Sequence, residues 1–131
     1  KAQYYSARII SEQYTDQPSG YSGNEDCGQM SAWYLFSSMG FYPLNPCGGV
    51  YCFGSPRLEK ATINLENGRR FTVVAHGVSD RNIYIQKIML NGKPYSRNYI
   101  THGDILNGGI LEFTMGPEPQ KKMARYEKPA A

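Results

Sequence analysis

The chain has 131 residues and a net charge of +3, with 40% apolar and 19% charged residues. That length suits one domain or a piece of a larger one, the apolar share supports a packed core, and the low charge excludes wholesale disorder. The positive excess sits in the tail, where Lys121, Lys122, Arg125 and Lys128 face a single Glu127, so no basic face for nucleic acid is expected.

Residues 1–14 read as a helix, because Tyr4, Ala7, Ile10 and Tyr14 recur at three- and four-residue steps. "TDQPSGYSGN" then breaks the pattern with Pro18, Gly20, Gly23 and Asn24. A second helix is expected from Cys27 to Met39, with Gly40 as its C-terminal cap. Met30, Trp33, Tyr34, Phe36 and Met39 make it apolar nearly all round, which predicts burial among more helices than these two. Trp33 is expected to pack in that helical core, and Met30, Met39, Met89 and Met115 read as core.

After "YPLNPCGG" the texture changes to short strands, beginning with "VYCFG". "ATINLENGRRFTVVAH" holds two alternating runs about Asn67-Gly68, and "NIYIQKIMLNGKPY" repeats the scheme about Asn91-Gly92. "NYITHGDILNGGILEFTMG" supplies a short strand, a turn and a closing strand. Six or seven strands in roughly sixty residues suggest an antiparallel sandwich. The closing "GPEPQKKMARYEKPAA" has no periodicity and is expected to be a flexible tail.

No apolar run approaches the ~20 residues of a membrane span. There is no initiator Met and no signal peptide, and "KAQYYSARIISEQY" reads as mid-protein sequence, so the chain is expected to be a fragment or a processed product. Of the three cysteines, Cys47 and Cys52 either bridge across "CGGVYC" or remain free thiols with Cys27.

The loop "GYSGNEDCGQ" holds two adjacent carboxylates, Glu25 and Asp26. Asp26 with Gln29 three residues on has the spacing of a capping box, in which a side-chain oxygen satisfies free backbone N–H groups. Glu25 beside a helix N-terminus benefits from the dipole. Both acids therefore have an ordinary structural explanation as a helix start.

The wider string "SGNEDCGQMSAWYLFSSMGFYPLNP" closely resembles the signature of glycoside hydrolase family 92, exo-acting, calcium-dependent α-mannosidases that invert the anomeric centre. The resemblance continues through "VYCFGSPRLEKATINLENGRRFTVVAHG", "YIQKIMLNGKPY" and "ITHGDILNGGILEFTMGP", and covers residues 1–117. It implies an α+β fold, the closing helices of an (α/α)6 barrel followed by an antiparallel β-sandwich-like region. Residues 1–46 would end the catalytic barrel, with the active-site loop at 20–29; residues 47–116 would form the C-terminal β region and 117–131 the basic tail. In the family's loop the last Asp, here Asp26, is the general base that activates water. Asn24 stands where some members carry an assisting acid. Glu25 matches the pattern without an assigned role, and Tyr21 on the same loop is a candidate sugar contact. A helix N-terminus favours negative charge, so capping and base catalysis are compatible roles for Asp26.

The resemblance further implies Ca2+ in the full-length enzyme, with no metal ligand assigned within this chain, since calcium wants six to eight oxygens. By the resemblance the general acid lies upstream, in the barrel, and none of the remaining acids here sits in a motif that matches it. The expected partners are mannose-containing glycans (α-1,2-linked by resemblance), the upstream remainder of the enzyme, and a second copy where cut barrel surface is exposed. The expected location is periplasmic, cell-surface or secreted. Alone, the chain is expected to be inactive. Two other classes stay open: a non-catalytic carbohydrate-binding or structural β module, and an (α/α)6 disaccharide phosphorylase relative that phosphate dependence would reveal. His102 is expected to make structural hydrogen bonds, and His76 to be exposed at a strand end.

Overall fold

The first helix, α1 (Ala2–Gln13), forms over the expected residues in the computed structural model, which describes residues 1–121. The tail expected to be flexible falls largely outside the described residues. Ala7 and Ile10 face inward from α1. The helix is tied to the strands by Gln3, whose Oε1 accepts from the Ile85 amide at 3.3 Å. An exposed Arg8–Glu12 pair at 2.9 Å, one turn apart, adds little to stability.

After α1 the chain doubles back. Thr15 N–H donates to Gly20 O at 3.0 Å, and Tyr14 bridges Tyr21. Gly20 is needed for this approach, because a Cβ there would lie 2.1 Å from Thr15 O. The second helix, α2 (Gln29–Met39), ends at Gly40 with φ 100, whose N–H reaches Phe36 O and Ser37 O. α2 buries only Ser37, Ser38 and Met39, while Tyr34 and Leu35 remain exposed. The burial expected for its whole circumference is thus met only at its C-terminal end among the described residues.

The strands are β1 (Phe41–Asn45), β2 (Val50–Phe53), β3 (Lys60–Asn64), β4 (Arg70–His76), β5 (Tyr84–Leu90), β6 (Lys93–Pro94), β7 (Tyr99–Thr101) and β8 (Gly109–Gly116); a short α3 (His102–Leu106) precedes β8. One sheet has the order β1-β2-β7 and the other β3-β4-β8-β5-β6. Strand β1 was unexpected. It pairs antiparallel with β2 across a 3-10 turn at Pro46–Gly48, where Asn45 Oδ1 accepts from Cys47 N–H at 3.1 Å. A division between residues 46 and 47 would cut this hairpin. The expected turn before the last strand is α3, closed by a capping box between Thr101 and Asp104.

Both Asn-Gly hairpins form. Asn91 and Gly92 take φ 51 and 77, the two positive values of a type I′ turn between β5 and β6. The region is not wholly antiparallel, however: β4 and β8 run parallel, with Phe71 opposite Gly109 and Ala75 opposite Phe113. The chain reaches β8 from β7 in the other sheet, so β8 is inserted between β4 and β5 by a long-range pairing rather than a hairpin. Alternate residues Phe71, Val73 and Ala75 of β4, and Leu111, Phe113 and Met115 of β8, face one core. In β5 a bulge between Ile85 and Lys87 shifts the register, so Ile85 and Ile88 reach the same core three residues apart. Phe53 of β2 meets Phe113 of β8 edge-on at 5.2 Å, joining the two sheets in a sandwich-like body.

Candidate active site

The loop between the helices reaches α2 through a 3-10 turn at Asp26–Gly28. Cys27 and Gly28 take φ 55 and 77, so the chain reverses before Gln29 begins the helix. This corrects the expected start at Cys27. It also removes the Asp26–Gln29 capping box: Asp26 contributes only its backbone O, to Gln29 N–H, and no side chain at the adjacent Gly28 can cap.

Glu25 serves the helix end instead. Its two carboxylate oxygens accept from Ser31 N–H at 3.2 and 3.1 Å. Ser31 supplies the third backbone N–H of α2, one of those without an intrahelical partner. The two left-handed residues fold the loop back so that the longer Glu25 arm reaches that amide. The Ser31 hydroxyl lies 2.8 Å from Tyr21 OH. Two loop side chains therefore converge on one residue of the first helical turn. Ser31 carried no sequence signal, because its partners lie six and ten residues away and match no capping spacing.

Asn24 and Asp26 are exposed, and among the described residues no hydrogen bond or ion pair engages either side chain. Tyr21 is half exposed, but its hydroxyl is already engaged by Ser31, which qualifies its expected role as a sugar contact. Behind the loop, Tyr14 stacks on Trp33 at 5.5 Å and on Tyr34 at 5.0 Å, with Tyr21 edge-on at 5.7 Å. Burial first, then the nearby Glu25 charge, pushes the Tyr14 phenol above its ordinary value. The phenol therefore stays protonated beside the carboxylate. Trp33, expected in a buried helical core, is half-buried among the described residues, stacked on Tyr14.

A cavity of about 440 Å³ lies beside this cluster, lined by Tyr14, Asp16, Gln17, Tyr21 and Tyr34. A more apolar groove of about 220 Å³ runs between the helices and the first hairpin, past Ile9, Trp33, Leu44 and Cys52. Asp26 lines neither. Among the described residues no three His, Cys, Asp or Glu side chains gather as a metal site.

The other singled-out residues have structural partners. Tyr51 OH lies 3.1 Å from His102 Nδ1, with the two rings stacked. His76, exposed, pairs with Glu112 at 3.0 Å. All three cysteines are free, so Cys47 and Cys52 do not bridge. Burial pushes the Cys52 thiol above its usual range.

The relatives of this chain are glycoside hydrolases. Residues 1–117 match the glycosyl hydrolase family 92 catalytic domain, and the chain belongs to that family. The chain resembles the family GH92 α-mannosidase BT3965 from Bacteroides thetaiotaomicron, with a TM-score of 0.88 and 39% identity over 94% of this chain and 17% of that one. It also resembles the family GH92 inverting mannosidase BT2199 from the same species, with a TM-score of 0.85 and 40% identity over 98% of this chain and 17% of that one. A protein of Arthroderma benhamiae described as an uncharacterized secreted glycosidase is 40% identical over 112 residues, 83% of this chain and 14% of its own length. The chain thus spans only a small part of these relatives.

Proposed function

We propose that this chain forms the C-terminal part of an inverting exo-α-mannosidase and that Asp26 is its general base. Asp26 stands at the base position of the family loop, with its carboxylate exposed and unengaged by the described residues. The helix-end role that would have occupied it is filled by Glu25. A base needs access to a water molecule, and the exposed Asp26 carboxylate supports the reading on that count.

In the proposed reaction Asp26 takes a proton from water as the water oxygen bonds to the anomeric carbon. The bond from that carbon to the leaving oxygen breaks, and the leaving oxygen takes a proton from a carboxylic acid supplied elsewhere in the enzyme. Water enters from the face opposite the leaving group, so the product is β-mannose. The two carboxyl groups of such a pair stand about 6.5–9.5 Å apart. On this reading Asn24, next but one to Asp26, hydrogen-bonds the water or the sugar. The substrate class is terminal α-linked mannose on glycans, α-1,2-linked in the first instance, met by a secreted, periplasmic or surface enzyme. Residues 1–46 belong, on this reading, to the end of an (α/α)6 barrel.

Calcium is part of the family reading, but the residues present do not make its site. The ion takes six to eight oxygens, and no cluster of three candidate ligands gathers among the described residues. Its ligands are therefore assigned to the rest of the enzyme, and no step above passes through it. Proton NMR of early product from an aryl α-mannoside, with the longer enzyme containing this chain, tests the mechanism. β-Mannose appearing before mutarotation supports inversion, and α-mannose first overturns it. The isolated chain is expected to release no mannose from the same substrate.

A further inference from the structure

We propose that Glu25, Ser31 and Tyr21 form a clamp that positions the Asn24–Asp26 segment against the first turn of α2. The clamp rests on the base assignment of Asp26, and it gives a task to the acid that family resemblance leaves without one. The loop has few other restraints. Thr15 closes on Gly20 at 3.0 Å, and Ser22 Oγ donates to Gln13 Oε1 at 3.2 Å. From Gly23 to Asp26, Glu25 makes the only side-chain hydrogen bonds among the described residues. Its side chain passes over Gly28, where a Cβ would stand 3.9 Å from Oε1.

The energetics favour a positioning role over a stabilising one. Glu25 and Ser31 are exposed, and exposed charged contacts add little to global stability. Holding a base where water must sit is different. A displacement of ~1 Å can cost about 10²-fold in rate. Glu25 is covalently adjacent to Asp26, so a rotation of one moves the other. Tyr21, with its hydroxyl at 2.8 Å from Ser31 Oγ, fixes the same helical residue from the other arm of the loop. Ser31 is the shared anchor.

The test compares Glu25→Gln, Glu25→Ala and Asp26→Asn in the longer enzyme, with kcat and KM measured on an aryl α-mannoside. Glutamine keeps an oxygen to accept from Ser31 N–H but cannot take a proton. Glu25→Ala should lower kcat about 10–100-fold with little change in KM, while Glu25→Gln recovers most of the loss. Amide exchange at Ser31 in this chain should quicken in Glu25→Ala and stay slow in Glu25→Gln, which reads the clamp without activity. If Glu25→Ala keeps full kcat while Asp26→Asn loses it, the clamp is overturned and the base assignment stands. If Glu25→Gln is as impaired as Glu25→Ala, Glu25 acts as an acid or base itself and the positioning role is overturned. If Asp26→Asn keeps full activity, the base assignment fails, and the clamp with it.

Discussion

Before α2, the backbone at Cys27 decides which acid meets the helix end. Its φ of 55 and the 77 of Gly28 turn the chain before the helix begins. Only Glu25 then reaches the helical N–H groups, and Asp26 is left open. A non-glycine residue in the left-handed region costs about 1–2 kcal/mol relative to its preferred conformations. Cys27→Gly should therefore leave stability unchanged or raise it by up to about 1 kcal/mol, whereas Cys27→Val should lower it by about 1–2 kcal/mol. Urea unfolding of each variant measures this. The string "GNEDCGQ" drew attention to both acids, but not to Glu25 rather than Asp26 meeting the helix end. The sequence pattern set the helix start at Cys27, and two consecutive left-handed residues moved it to Gln29. The thiols give a second test. Cys27 and Cys47 are exposed, while burial raises the Cys52 thiol. Thiolate is the reactive form, so near pH 8 a disulfide reagent should label two thiols quickly and Cys52 slowly. Raising the pH should narrow the gap as Cys52 ionises. Its contribution to stability is present below the unfolded pKa and declines as pH rises towards the folded one. Equal labelling of all three would contradict the packing around Cys52.

At the scale of elements, local signals and long-range pairings separate cleanly. Both hairpins were marked by Asn-Gly: at Asn91-Gly92 both residues take the positive φ that the turn demands, and in the longer β3–β4 loop Gly68 does, with φ 78. Gly40 was marked for the same reason, and it also carries a steric demand. A Cβ there would lie 2.9 Å from the Pro56 Cβ and 3.2 Å from the Phe113 ring, at φ 100. Gly40→Ala should cost about 2–3 kcal/mol, seen as a lower urea midpoint with an unchanged slope. A loss below about 0.5 kcal/mol would show that the α2–β1 corner is looser than described. The parallel β4–β8 pair was not readable, since nothing local to either strand specifies a partner tens of residues away. β1 was hidden by Pro43 and Pro46, which suggest a loop, although β1 lies at a sheet edge where proline is tolerated. α3 was missed although Thr101 and Asp104 have capping-box spacing, because five residues carry no periodicity.

At the scale of the whole molecule, the two sheets share one core and the two helices cover only part of it. Phe113 is fully buried at the centre of the five-stranded sheet and touches Phe53 of the other. Phe113→Ala should cost about 3–5 kcal/mol, a large share of the roughly 5–15 kcal/mol that holds a domain of this size. The helices present an incomplete surface: Tyr5 of α1 is 55% exposed and Leu35 of α2 57%. That surface suits the reading of residues 1–46 as part of a larger helical body. The proposed function is that α1, α2 and the strands hold a loop whose Asp26 activates water in a mannosidase. It is tested most directly by kcat of Asp26→Asn in the longer enzyme on an α-mannoside, with folding checked by circular dichroism. The account predicts a fall of about 10²–10⁴-fold with the fold intact; a kcat within a few-fold of the unaltered enzyme would contradict it.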